Sequence, residues 1–392
     1  MIAWELGGNF GHIGRLLPFA TELLSRGSKV TFAILGQGAA VYWLREQGWT
    51  CVAIPAAPVG HRTSSPAACH ADWFLREGFE DTHGTVRRIG QWAQLMDALE
   101  PDNVLLDFAP FATYASHFLR LSYVVLSTGF CTPPYVGKPA CFRPWDHASQ
   151  KHAQMAHEKL LTCFADLATH LGANAATDLG ELFSVDHVRL CTFTELDHFP
   201  QRTMSGVAYE GATWSDLQLQ SSTTWRQSSG KKILCYLNGP ESDYAELLQY
   251  LQTQTHQVIA VLPKLARDRV ACYASDVVHI EISPINLQGL LVDCDLLVCH
   301  GGLGLVARSL CAATPVFLLP QYAEQALLAR RVVTQKLGAA TFQKANVVML
   351  QKKLNQLLEN SEINSQLKKF TQKYQMHSVK ATTHRVLSTV AK

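Results

Sequence analysis

The sequence predicts an α/β protein built from two doubly wound parallel sheets. Short apolar runs alternate with segments of helical spacing from Ile2 onward, the pattern of successive strand–helix units. That alternation stops at a Ser-, Thr- and Gln-rich stretch, residues 215–230, and restarts at Lys232. A chain of 392 residues also exceeds what one compact core holds. The expected division is a first domain over 1–214, a linker over 215–230, a second domain over 231–375 and a terminal helix over 376–392.

The elements follow in order. Residues 2–6 are a short apolar run, and a Gly-rich loop, 7–14, comes straight after it. Leu16, Leu17, Phe19, Ala20, Leu23 and Leu24 then line one face of a helix, with Gly27 as its C-cap. Strands are expected at 29–35 and 50–55 around a helix at 41–47. Residues 60–82 break the pattern, and long irregular stretches are disproportionately functional. A helix over 85–99 leads to a strand at 103–107 that ends on Asp107, and 122–126 is the next strand. A second irregular stretch, 129–147, carries Tyr135 and Trp145 before a helix over 150–171. His147, His152 and His157 recur at intervals of five, which spreads them around a helix; they read as surface histidines, not metal ligands. A strand at 188–193 closes the first half.

The second half repeats the scheme. Strands are expected at 232–237, 257–262 and 277–282, with a turn at Asn238, Gly239 and Pro240 and a helix over 243–253. The most informative stretch follows, VCHGGLGLVARSLCAATPVFLLPQYAEQALLARRV, from Val298 to Val332. An apolar run ends at His300, a turn through Gly301, Gly302 and Gly304 follows, and an apolar segment runs on to Ala313 before Pro315. A Gly-rich turn entering a helix exposes unpaired N–H groups at the positive end of the helix dipole, and its natural guest is an anion such as phosphate. A polar pair, Glu324 and Gln325, returns to the same strand-end edge one unit later.

Composition narrows the possibilities. Hydrophobic residues make up 47% and charged residues 17%, the balance of an ordinary soluble globular chain. A net charge of +2 provides no field for nucleic acid. Eleven scattered cysteines without a C-x-x-C pair argue against a disulfide framework or zinc site and for a reducing compartment, so the expected location is cytoplasmic. No apolar run reaches membrane-spanning length, which leaves peripheral membrane contact open.

The first loop is a poor dinucleotide fingerprint. Its glycines fall at 8, 11 and 14, and the second strand ends in Leu35, Gly36 and Gln37 with no carboxylate. His12 carries more information. It lies at the strand-end edge, as does Asp107, and in a parallel sheet both edges border one crevice. A histidine oriented by an aspartate is suited to general-base work.

These stretches resemble the UDP-glycosyltransferase-like enzymes, which have the GT-B fold. HGGLGLVARSLCAATPVFLLPQYAEQ is similar to the donor-binding segment of that family at His300, Gly302, Pro315, Pro320, Glu324 and Gln325. GHIGRLLPFATELLSRGSKVTFA resembles its Gly-His segment and PDNVLLDF its Asp-bearing strand. Leu305 departs from the usual Ser or Thr, Thr314 from the usual Gly, and Arg308 from a Glu that accepts ribose hydroxyls. Arginine has no acceptor. Three readings of Arg308 stand side by side: a deoxyribose (dTDP) donor, a phosphate contact, and a solvated helix arginine.

The resemblance implies two Rossmann-like domains facing a central cleft, the first binding acceptor and the second a nucleotide-sugar, with the terminal helix packing back on the first. It implies an inverting, metal-independent sugar transfer from a UDP- or dTDP-sugar to a hydroxyl of a small-molecule or lipid acceptor. His12 is the expected base and Asp107 its orienter. Gly11, Asn238, Gly239, Ser283, Leu287, His300, Gly301, Gly302, Gly304, Arg308, Glu324 and Gln325 are the expected donor contacts, and Trp73, Tyr135 and Trp145 the acceptor contacts. No cofactor is expected beyond the nucleotide-sugar co-substrate. A nucleotide-sugar epimerase on the same fold and a non-catalytic nucleotide-sugar-binding protein are the alternatives.

Overall fold

The structure, a computed structural model, describes residues 1–6, 10–34, 38–54, 66–134, 138–200, 202, 206–215, 223–226, 230–342 and 347–390, with the backbone alone at Gln288 and Val347. Met1–Thr213 and Ser378–Lys392 form one compact unit, and Trp214–His377 form another.

The described strands of the first unit are β1 (Ile2–Trp4), β2 (Thr31–Ile34), β3 (Thr50–Ala53), β4 (Val104–Asp107), β5 (Tyr123–Ser127), β6 (Val188–Leu190) and β7 (Ala208–Tyr209). They pair in parallel in the order β3-β2-β1-β4-β5-β6-β7. β1, β2, β4 and β5 are buried along their whole length, so they read as unbroken apolar runs instead of alternating ones. The winding reverses between β1 and β4, which makes the carboxyl ends of those two strands the switch point of the sheet.

The helix Phe10–Ser25 buries Ile13, Leu16, Leu17, Phe19 and Ala20. It ends in a Schellman cap: Gly27 takes φ 81°, its N–H reaches the Leu24 carbonyl at 2.9 Å, and the Ser28 N–H reaches the Leu23 carbonyl at 3.0 Å. The terminal helix Val379–Val390 packs along it within the same unit. Thr382 Oγ1 donates to the Glu210 carbonyl at 2.8 Å and Arg385 Nε to Glu210 Oε2 at 2.6 Å.

Two sequence expectations are corrected in this unit. The stretch 60–82 is not irregular throughout, since His70–Phe74 is α-helical and Leu75–Phe79 continues as a wider π turn. Cys69 starts that helix by accepting the Asp72 N–H on Sγ at 3.5 Å, a cap that the usual hydroxyl and carboxylate rules do not flag. His157 is not a surface residue. It is buried on the face of the helix His147–Leu171 that also carries Ala153, Ala156 and Leu160, while His147 and His152 are exposed.

Two buried carboxyls tie loops to this core. Glu5, 1% exposed, accepts the Phe111 N–H at 3.1 Å and the Ala112 N–H at 2.7 Å, capping the helix Pro110–Phe118. Arg88 Nη2 lies 4.0 Å from it. Burial dominates and pushes the Glu5 carboxyl up to about 7, against the pull of Arg88 and the two N–H groups. Asp197 accepts from Arg202 Nε at 2.7 Å, from the Tyr209 hydroxyl at 2.6 Å and from the Phe199 N–H at 3.1 Å. Burial alone would raise its pKa, but Arg202, the Tyr209 hydroxyl and the Phe199 N–H together outweigh burial and the carboxyl ends below its usual value. Arg202 also donates to the carbonyls of Gly129 at 2.6 Å and Pro133 at 3.2 Å, so this ion pair pins the loop after β5. Gly129 takes φ 95°, and a Cβ there would meet Asp197 Oδ1 at 2.8 Å.

The described strands of the second unit are β8 (Lys232–Tyr236), β9 (Gln257–Val261), β10 (Val278–Glu281), β11 (Leu296–Cys299), β12 (Val316–Leu318) and β13 (Gly338–Ala340). They pair in parallel in the order β10-β9-β8-β11-β12-β13, with the switch point between β8 and β11. Of the stretch expected as a linker, residues 223–226 lie against this unit, and Trp225 Nε1 donates to the Leu290 carbonyl at 3.0 Å. Thr314 is a packing residue, 1% exposed, and its hydroxyl lies 3.1 Å from the Leu291 carbonyl and 3.2 Å from that of Cys294.

Candidate active site

The switch point of the first unit holds a compact polar cluster. Trp4 and Asp107 are register partners at the ends of β1 and β4. Asp107 is fully buried, and His12, in the first turn of the helix Phe10–Ser25, brings Nδ1 to 2.9 Å from its Oδ2. Burial would raise the Asp107 carboxyl, but Arg15 and His12 together hold it below its usual value. An ionised carboxylate cannot donate, so Nδ1 carries the ring proton and Nε2 presents a lone pair. The ring stacks on Trp4 with centroids 4.8 Å apart and planes 22° apart, and lies parallel to Phe108 at 6.5 Å.

Phe108 adopts a left-handed φ of 48° directly after Asp107. For a non-glycine residue that conformation costs about 1–2 kcal/mol. The Leu6 N–H meets the Phe108 carbonyl at 3.1 Å and helps to hold this bend.

Arg15 was not among the expected site residues. Its Nη2 donates to Asp107 Oδ1 and lies 3.2 Å from His12 Nδ1. The signal for it was the i, i+3 spacing from His12, which puts both side chains on one helix face.

Of the expected acceptor residues, Trp73 belongs to an aromatic wall that runs up to the histidine. Its ring centroid lies 4.6 Å from Phe108, 5.0 Å from Phe130 and 4.8 Å from Phe142. Trp145 is exposed at 47%. Tyr135 lies outside the described residues. Gly11 is exposed in the first turn of the helix Phe10–Ser25, in the first unit and not with the other expected donor residues.

Four of those donor residues, Gly239, His300, Gly301 and Gly302, gather at the switch point of the second unit. His300, 6% exposed, follows β11 and directs Nδ1–H to the Leu319 carbonyl at 2.9 Å. That bond fixes the tautomer and leaves the buried Nε2 without a hydrogen-bond partner among the described residues. Burial, joined by Lys264, holds the imidazole below its usual value against the Leu319 carbonyl and Asp243. Gly239, after β8, faces that nitrogen, and a Cβ at Gly239 would stand 3.2 Å from Nε2. Gly301 takes φ 99°, and Gly302 begins the helix Leu303–Cys311, which no side chain caps. Its first N–H groups therefore remain available to an anion beside His300.

The rest of the expected set is more dispersed. Asn238 is half-buried next to Gly239, and Gly304 and Leu305 lie in the first turn of the helix Leu303–Cys311. Arg308 sits in its last turn, where a cation suits the negative end of the dipole. Ser283 is exposed, and Leu287 precedes the short helix Gln288–Val292. Glu324 is half-buried in the first turn of Ala323–Thr334. Gln325 is buried against Gly301, and its Oε1 accepts the Gln321 N–H at 2.9 Å, so that oxygen shapes the turn after β12. Gln321 was not expected; its Nε2 donates to Asp243 Oδ2 at 2.5 Å beside Gly239. Among the described residues, no group of three or more His, Cys, Asp or Glu side chains is placed to hold a metal ion. No described helix is long and apolar enough to cross a membrane.

No protein-family model matches the chain. No curated protein matches it either. Solved structures do. The calicheamicin glycosyltransferase CalG4 superposes with a TM-score of 0.73 at 15% identity, over 100% of this chain and 98% of its own. The glycosyltransferase of kitacinnamycin gives a TM-score of 0.71 at 15% identity, over 99% and 98%. The spinosyn rhamnosyltransferase SpnG complexed with thymidine diphosphate gives 0.68 at 16% identity, over 99% of each chain. With two parallel, doubly wound sheets and likeness along its whole length to these enzymes, the chain has the GT-B fold of glycosyltransferases.

Proposed function

We propose that the protein is a glycosyltransferase that moves a sugar from a nucleoside diphosphate-sugar to a hydroxyl of a small-molecule or lipid acceptor. The observation that carries this reading is the His12–Asp107 pair, 2.9 Å apart at a sheet switch point, which leaves the second ring nitrogen to act as the base. The first unit supplies the base and, along Trp73 and Phe108, an apolar wall suited to a ring-bearing acceptor. The second unit holds the donor, its diphosphate at His300, Gly301, Gly302 and the start of the helix Leu303–Cys311. Glu324 faces the sugar in this reading and accepts its hydroxyls, while Gln325, its oxygen bound to the Gln321 N–H, shapes the turn beside it.

The reaction is one displacement. The acceptor oxygen attacks the anomeric carbon as His12 Nε2 takes its proton, the bond from that carbon to phosphate breaks, and the diphosphate leaves with the configuration inverted. The negative charge that develops is met by helix N–H groups and His300, without a metal ion. Arg308 provides no acceptor for a ribose hydroxyl. This favours a dTDP-sugar over a UDP-sugar, in keeping with the thymidine diphosphate bound by SpnG.

The test is calorimetric binding of dTDP and UDP, followed by transfer from their sugars. dTDP should bind more tightly than UDP. His300 must gain a proton at Nε2 before it can donate to phosphate, so diphosphate binding should take up a proton. Affinity should then rise as pH falls toward the lowered His300 value, and His300→Ala should remove that pH dependence along with about tenfold of affinity, the worth of one charge-assisted hydrogen bond. Absence of nucleotide binding would sink the donor assignment. Binding without transfer to any hydroxyl acceptor would favour a non-catalytic sugar-nucleotide binder.

A further inference from the structure

The cluster at His12 contains a third charged member, and its role rests on the reading of His12 as the base. Arg15 and Asp107 are 11% and 0% exposed at their side chains. Asp107 divides its two oxygens between them: Oδ2 takes the His12 Nδ1–H and Oδ1 takes Arg15 Nη2. The same Nη2 stands 3.2 Å from His12 Nδ1. Because that ring nitrogen already directs its proton to Asp107, the approach places a cation against the imidazole and is not a hydrogen bond. Arg15 Nε is buried without a hydrogen-bond partner among the described residues, so the side chain is held by its Nη2 contacts.

The other groups facing this cluster leave its charge to Asp107 and Arg15. The thiols of Cys131 and Cys191 face Arg15. Burial pushes Cys191 up to about 12, so it stays neutral. Glu210, which acts on Cys191, is paired with Arg385. Trp4 and Phe108, which lie along the ring, do not titrate. The helix start beneath His12 adds a partial positive charge that no substitution at 15 would alter.

We propose that Arg15 is a positioning residue for His12: it holds Asp107 by the oxygen that His12 leaves free and sets a fixed positive charge beside the ring. The cation thus stands against the ring on the side from which the carboxylate orients it. A buried carboxylate by itself favours imidazolium, and an imidazole already protonated cannot accept the proton of an incoming hydroxyl. Arg15 offsets that pull while leaving the carboxylate in place to fix the tautomer.

The test is an NMR titration of the His12 ring in the full-length protein, which needs no donor or acceptor. Arg15→Gln should raise the His12 midpoint by about one unit or more. Arg15→Lys should keep it near the wild-type value, and Asp107→Asn, which leaves Arg15 unopposed, should lower it. In parallel, the acid limb of the pH profile of kcat/KM should move upward in Arg15→Gln, with the rate recovering at high pH, whereas a purely structural loss would depress the rate at every pH. An unmoved or lowered midpoint in Arg15→Gln overturns the proposal; should that variant not fold, an unmoved midpoint in Asp107→Asn overturns it. A midpoint that rises in a protein transferring no sugar overturns the transferase reading and leaves the charge arrangement standing.

Discussion

Replacing His12 with alanine is expected to slow sugar transfer by about 10²–10⁴-fold, the usual worth of a positioned general base. Nucleoside diphosphate affinity should not change, because the residues assigned to the donor's diphosphate all belong to the second unit and His12 to the first. Asp107→Asn should come close to the same loss by a different route. An amide can present its NH₂ to Nδ1, which moves the ring proton to Nε2 and blocks the lone pair that must act as base. The measurement is steady-state kcat at saturating donor, with dTDP binding measured on the same preparations. A His12→Ala enzyme with wild-type kcat would remove the histidine from the chemistry; lost dTDP affinity would place it in the donor site instead.

Asp197→Ala should destabilise the protein by about 3–5 kcal/mol, because it leaves the Arg202 guanidinium buried without its counter-charge. Arg202 and Asp197 are 2% and 1% exposed at their side chains, so solvent offers little compensation. Removing both charges, as Asp197→Ala with Arg202→Met, should recover much of that loss. The sign with pH follows from the lowered Asp197 carboxyl. Its contribution is fully present above the unfolded value of about 4 and is lost as pH falls through the lower folded value. Urea unfolding at pH 7 and in acid measures both effects. A single variant as stable as wild type at pH 7 would show that the pair does not hold the loop after β5.

The strands were legible because a parallel sheet covered on both faces writes them as continuous apolar runs, as VLLD at β4 and LLVC at β11 do. β7 and β13 escaped notice. Two residues carry no period, and β13 is Gly-Ala-Ala, whose smallness is a packing demand: a Cβ at Gly338 would fall 2.2 Å from the Val316 carbonyl oxygen. His12 and Asp107 could be brought together because both sit at strand ends on one edge. Arg15 could not, since a cation one turn along a helix reads as a solvated face until its carboxylate partner is placed. The acceptor for His300 Nδ1 is a backbone carbonyl, which no side-chain pattern announces. Gln325 shows the converse: its residue type suits sugar binding, yet its oxygen is turned inward to the Gln321 N–H.

Glu5 makes the first unit respond to alkali in a sense opposite to Asp197. A carboxyl pushed up to about 7 from an ordinary 4.5 keeps a proton in the native chain that the unfolded chain has already released. The stability tied to that proton is whole below pH 4.5 and drains away as pH climbs through 7, by up to about 3 kcal/mol. Past neutrality the helix Pro110–Phe118 starts on a sealed anion with Arg88 4.0 Å away. Glu5→Gln should therefore melt at a more nearly constant temperature between pH 4.5 and 7 than the wild type, and an identical decline in both would assign that loss to another residue.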